Sequence, residues 1–228
     1  MTVVGRTKGP SPTSGLGRDH GAGLLSEDDA RLLREACRTN ASELLGEAAL
    51  LAKNGHQARA YALAAFAAEE ATKAVILVSV QAILEFGGQI DWPEFWKNWR
   101  NHDPKVQAGI LFGSHMPEGL DALVALVLPI FDQGMPDSIK HKAVALRKAR
   151  EAAIYVDWAQ GVRAPSVRVA GSVEMVGHAR KLVALAEEFA GILGNAEVMA
   201  VWKQSAVAAA SGGLEATRDV LTGLKPSG

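Results

Sequence analysis

Residues 57–86 read QARAYALAAFAAEEATKAVILVSVQAILEF, and this stretch decides the fold. It is rich in alanine, the strongest helix former, and it has no continuous polar face. From Tyr61 to Phe86 the only charged residues are Glu69, Glu70, Lys73 and Glu85. A helix that is apolar on nearly every side belongs at the centre of a bundle, where neighbours cover all of it. The pattern therefore predicts an all-α fold with this helix as its hub. Asn54-Gly55 precedes it and Gly87-Gly88 follows it, residues that tolerate the left-handed backbone of a helix end.

Working towards the N-terminus, Ser26 is a good cap with Asp29 three positions on, and Glu27 and Asp28 suit the positive end of a helix dipole. Leu33, Cys37, Leu44, Ala48 and Leu51 recur at helical spacing up to about Lys53. Residues 1–25 mix Gly, Ser, Thr, Pro and scattered charges, and read as a flexible arm. Towards the C-terminus, Asp91 caps a short helix with Pro93 in its first turn and Phe95, Trp96 and Trp99 along it. Asp103-Pro104 should end that segment, since the residue before proline avoids the α region. Prolines 117, 129 and 136 interrupt the next stretch, which holds a short helix around Leu120–Phe131. A longer helix is expected over about Ser138–Trp158, then an amphipathic one through Val176, Leu182, Leu185, Phe189 and Ile192. Gly194-Asn195 turns the chain into a last helix to about Ala210, and 211–228 read as a weakly structured tail. No strand pattern stands out.

Composition narrows the function. The 228 residues are 48% apolar and 21% charged, with 24 Lys+Arg against 25 Asp+Glu, a net charge of −1. Such a balance gives no global cationic field for nucleic acid. One cysteine, Cys37, excludes an internal disulfide framework and a cysteine-based zinc site. Six histidines (20, 56, 102, 115, 141 and 178) form no i,i+4 ligand pair, so no metal and no cofactor is expected. The most apolar run, Ala74–Leu84, falls short of the ~20 residues a membrane span needs. No secretory leader is visible. The expectation is a soluble, cytoplasmic protein with no membrane contact.

Three stretches carry chemistry. Glu69 and Glu70 sit four and three residues before Lys73, so either carboxylate can meet the ammonium. A solvated pair is one reading. The other is a buried or cleft-lining cluster, because charges on so apolar a helix need partners from elsewhere. The second stretch is Phe95-Trp96-Lys97-Asn98-Trp99-Arg100-Asn101-His102-Asp103-Pro104-Lys105. Periodicity alone makes its tryptophans core and its cations rim. Alternatively, His102 beside Arg100 and Lys105 is a proton carrier beside fixed charge, which suits a phosphate ester. The third runs from Ser138 to Glu151, where five Lys/Arg oppose one acid. It can position phosphates or be an ordinary charged surface.

Taken in order, these stretches resemble the AbiV family of bacterial abortive-infection proteins, within the HEPN superfamily of helical bundles. The matching residues are Asn40-Ala41 with Leu44-Leu45, Arg59-Ala60 leading to Leu63-Ala64, Glu69-Glu70-x-x-Lys73-Ala74, Phe95-Trp96, Arg100-x-His102-x-x-Lys105, and Arg150-Glu151-x-x-Ile154-Tyr155-Val156-Asp157. They cover roughly residues 28–165. The resemblance implies a HEPN-like helical domain over 26–165 and defence against phage, in which an infected cell is arrested before the phage spreads. Many HEPN proteins are metal-independent endoribonucleases that use R-x(4–6)-H at a site shared by a dimer. That spacing does not occur here; the nearest pairs are Arg100-x-His102 and Arg18-x-His20. If RNA is the substrate, His102, Arg100, Glu70 and Lys73 are the catalytic candidates, and Lys105, Arg147, Arg150 and Tyr155 the phosphate-binding ones. Asn40, Glu69 and Asp157 would then form a supporting polar cluster. The other class of function is a non-catalytic helical protein that senses or sequesters a phage or host component. The implied partners are RNA, a phage-encoded trigger and a second copy of the chain, with residues 166–210 packing on the bundle or forming the dimer interface.

Overall fold

The computed structural model describes residues 23–85, 87, 89–114, 137–155, 157–158, 162–192 and 200. The expected helices around Leu120–Phe131 and up to Ala210, the 211–228 tail and most of the 1–25 arm lie outside them. Helix α1 spans Glu27–Lys53. It opens on a reciprocal capping box, in which the Ser26 hydroxyl accepts from the Asp29 N–H at 3.1 Å and the Asp29 carboxylate accepts from the Ser26 N–H. It closes on Gly55 at φ +81°, with the Gly55 and His56 N–H groups donating back to the Ala52 and Leu51 carbonyls. Helix α2 spans Gln57–Glu85, and α3 spans Trp92–Arg100 with Asp91 as its cap.

The chain departs from the sequence reading at Asp103-Pro104. Rather than ending α3, Pro104 lies in the first turn of a further helix, α4, His102–Ser114. Asn101, extended at φ −85° and ψ 130°, breaks α3 from α4, and its Oδ1 accepts from the Asp103 N–H. Proline is tolerated there because a first-turn N–H has no helical partner to lose. Helix α5 covers Asp137–Ile154, shorter than expected. Beyond it Asp157–Trp158 (β1) pairs antiparallel with Val162–Arg163 (β2), Trp158 opposite Val162. Two residues per strand are too few to show the alternation that marks a strand in sequence, so this ladder leaves no pattern there. Helix α6 is Val169–Ile192.

The architecture is all-α. Helix α2 is the hub: it packs along α1 and α6, and also meets α4 and α5. Its Ala64, Ala71, Val75, Leu77 and Val78 are buried to the last atom or nearly so. Alanine on the hub lets the flanking helices approach closely. The tightest approach is at Gly109 of α4, where an added Cβ would stand 2.7 Å from Thr72 Oγ1 and 3.4 Å from Leu182 Cδ1. Leu182, Leu185 and Phe189 of α6 are buried within this bundle.

Candidate functional site

Glu69 and Glu70 are adjacent, and about 100° of helical rotation sends them to different neighbours. Glu69 faces α4 and α5 and is almost fully buried. Three cationic or protonatable groups converge on its carboxylate. His102 Nδ1 lies 2.9 Å from both oxygens, Lys105 Nζ 3.2 Å from Oε1, and Arg150 Nη1 3.1 Å from Oε2. The Lys105 ammonium also donates to the Trp99 carbonyl at the end of α3. The Arg150 guanidinium lies 4.9 Å from the centre of the Phe66 ring, a cation–π contact one turn before Glu69 on α2. One carboxylate thus joins α2, α4 and α5.

The electrostatics follow from that sharing. Burial works to raise the Glu69 carboxyl, but the His102 hydrogen bond and the Lys105 ammonium outweigh it and hold the group below its ordinary range. Lys105 fares less well. Burial depresses its ammonium, and Glu69 restores only part of the loss. The carboxylate has three partners, whereas Lys105 shares Glu69 with two other groups and feels Glu70 only at a distance.

Glu70 faces the other way. It accepts from Lys73 at 2.5 Å, a partly buried pair within one helix, and Lys73 Nζ lies 5.6 Å from the centre of the Trp99 ring. Cys37 of α1 is beside them; burial pushes its thiol up to about 12, and the Glu70 carboxylate adds to the rise. Glu70 and Lys73 were expected to take partners from other helices; instead they pair with one another within α2, and it is Glu69 that carries the contacts to other helices.

His102 is the outward member of the cluster, with 53% of its side chain exposed. With Nδ1 held by Glu69, it borders an open groove of about 930 Å³ that Phe66, Lys148, Arg150, Tyr155 and Ser166 also line. On the inner side, Glu69, Lys105, Arg147, Arg150 and His178 border a cavity of about 30 Å³, room for roughly one water. Burial, with Lys142 and Lys181 nearby, depresses the His178 imidazole.

Of the sequence-derived candidates, Glu69, His102, Lys105 and Arg150 meet directly. Tyr155 shares the groove, and Arg147 approaches Asp103 at 3.4 Å beside the inner cavity. Arg100 is exposed on α3, and Asn40 is exposed on α1; neither enters these contacts. Asp157 is in the β1–β2 ladder by its backbone. Lys140, His141 and Lys142 form the solvated face of α5. Of the other groove residues, Lys148 belongs to the basic run read between Ser138 and Glu151, whereas Phe66 was not a candidate, since it reads as one more apolar hub position. Among the described residues no three His, Cys, Asp or Glu lie close enough to share a metal ion, and no helix is long and apolar enough to cross a membrane.

Among known families, the model HEPN_AbiV, described as AbiV, matches residues 29–190. That span runs from the first turn of α1 to the last turn of α6. No curated protein and no solved structure matches the chain.

Proposed function

The chain belongs to the AbiV family of abortive-infection proteins with a HEPN-like helical domain, and from that premise we propose that it is a metal-independent endoribonuclease whose reacting group is His102. The observation that carries this reading is the Glu69–His102 pair: a buried carboxylate fixes Nδ1 of an imidazole that opens on a groove. A carboxylate so placed orients the ring and occupies Nδ1, leaving Nε2 to exchange a proton. In the proposed step the ribose 2′-oxygen attacks the adjacent phosphorus while Nε2 takes its proton. The bond from phosphorus to the 5′-oxygen breaks, and that oxygen leaves as a hydroxyl with a proton from solvent. Lys148, exposed at the groove, and Arg150 supply positive charge to the phosphorane oxygens. The protein would act in the cytoplasm as a homodimer, switched on by a phage-encoded trigger.

A second reading has an observation in its favour. Lys105 and Arg150 are committed to Glu69, as in a structural node, and a binding protein that sequesters a phage or host component needs no free reactive group. Incubation with total RNA and tRNA in the presence of a chelator separates the two. The ribonuclease reading expects fragments ending in a cyclic phosphate, lost in His102→Ala although its melting temperature is kept. Intact RNA at all protein concentrations, or equal cutting by His102→Ala, overturns it.

A further inference from the structure

The groove holds a side chain that neither proton transfer nor charge explains. Tyr155, the residue after α5, is 63% exposed, and Ile154 before it is 39% exposed. A large aromatic and a branched aliphatic standing together in water cover no core. Their backbone is nevertheless fixed. The Tyr155 N–H donates to the Glu151 carbonyl at 3.0 Å, and the Ser166 N–H donates to the Ala152 carbonyl at 3.2 Å. The last turn of α5 and the returning segment are thus tied together, and Tyr155 stands on the rim of the groove that contains His102.

The charge on this rim is small. Arg150 and His102 already share the Glu69 carboxylate, and Lys148 is opposed by Glu151 on the same groove. A polyanion held by charge alone would find little here, so affinity has to come from the apolar rim. Flat aromatic faces stack on unpaired bases at a useful energy and with little loss of side-chain freedom. A duplex hides its base faces and presents phosphates instead.

We propose that Tyr155, backed by Ile154, is a stacking platform for an unpaired nucleobase, and that the groove takes single-stranded rather than duplex RNA. The proposal rests on the reading of this groove as an RNA site and adds how the strand is held there.

The test is binding rather than cleavage. The full chain carrying His102→Ala, which cuts nothing under the ribonuclease reading, is titrated into a labelled oligocytidylate, alone or annealed to its complement, and followed by anisotropy. The unpaired strand should bind more tightly than the duplex. Tyr155→Ala should weaken it about tenfold, and Tyr155→Phe should restore it. The loss should persist at raised salt, since it is not ionic. Equal binding by the Tyr155→Ala protein, a preference for duplex, or no binding of either probe overturns the proposal. Cleavage by protein with His102 intact is scored separately. Cutting that ignores Tyr155, with binding that also ignores it, defeats the platform alone. Binding that depends on Tyr155 without any cutting defeats the ribonuclease reading alone.

Discussion

Two neighbouring carboxylates on one helix make opposite uses of burial. Glu69 lies between α2, α4 and α5, is almost wholly buried and joins three helices through His102, Lys105 and Arg150. Glu70, the next residue, faces the α1 and α3 side and makes a pair within its own helix. The difference teaches that the value of a charge here depends on how many buried partners lose their only counter-ion when it is removed. Glu69 neutralises groups that have no other carboxylate in contact among the described residues; Glu70 neutralises a lysine that can reach water.

The largest expected effect breaks that comparison at Glu69. Glu69→Gln leaves Lys105 and Arg150 as buried cations without an anion, and removing one side of such a cluster costs about 3–5 kcal/mol. Chemical denaturation should show the loss as a lower midpoint at unchanged slope. Next in size is the helix crossing beside it. Gly109→Ala drives a methyl to within 2.7 Å of the Thr72 hydroxyl, which cannot move freely because it donates to the Ala68 carbonyl at 2.8 Å. Overpacking of this kind costs about 1–3 kcal/mol, and pairing it with Thr72→Ala should recover part of the loss. Glu70→Gln comes third, at about 1 kcal/mol or less, as for a pair with access to solvent.

Acid sharpens the comparison. The Glu69 carboxyl is lower in the fold than in the unfolded chain, so between those two values the unfolded state binds more protons. Its contribution is complete above the ordinary carboxylate range and fades as pH falls through the folded value. Glu69→Gln should therefore flatten the acid limb of the stability profile measured by melting temperature. The smallest stability effect is at His102→Ala, because the imidazole is half in water: a change below about 1 kcal/mol, set against complete loss of cleavage.

Much of this was legible in the chain. The hub was readable because Ala60–Ala74 and Val75–Val80 leave a helix no polar stripe, and the ends of α1 because Ser26, Asp29 and Gly55 meet their backbone requirements locally. That buried charges on the hub must find partners near His102, Lys105 and Arg150 was legible, but the need was read for Glu70 and Lys73, whereas in the fold it is Glu69 that meets them and Arg100 stays outside. What the sequence hid was set by three-dimensional neighbours. Nothing local tells which of two adjacent glutamates faces the inner helices, since both fit Lys73 by spacing. Pro104 read as a stop because its role depends on Asn101 breaking the chain two residues before Asp103. Tyr155 was named only as a phosphate-binding candidate, because exposure of an aromatic ring is a property of the end of α5, not of its pattern.

The paired thermal unfolding of Glu69→Gln and Glu70→Gln tests the central claim most directly. If the buried node holds the three helices and aims His102, Glu69→Gln should melt about 10 °C below the unsubstituted protein, with Glu70→Gln within about 3 °C of it. Equal losses, or a larger one at Glu70, would contradict the account.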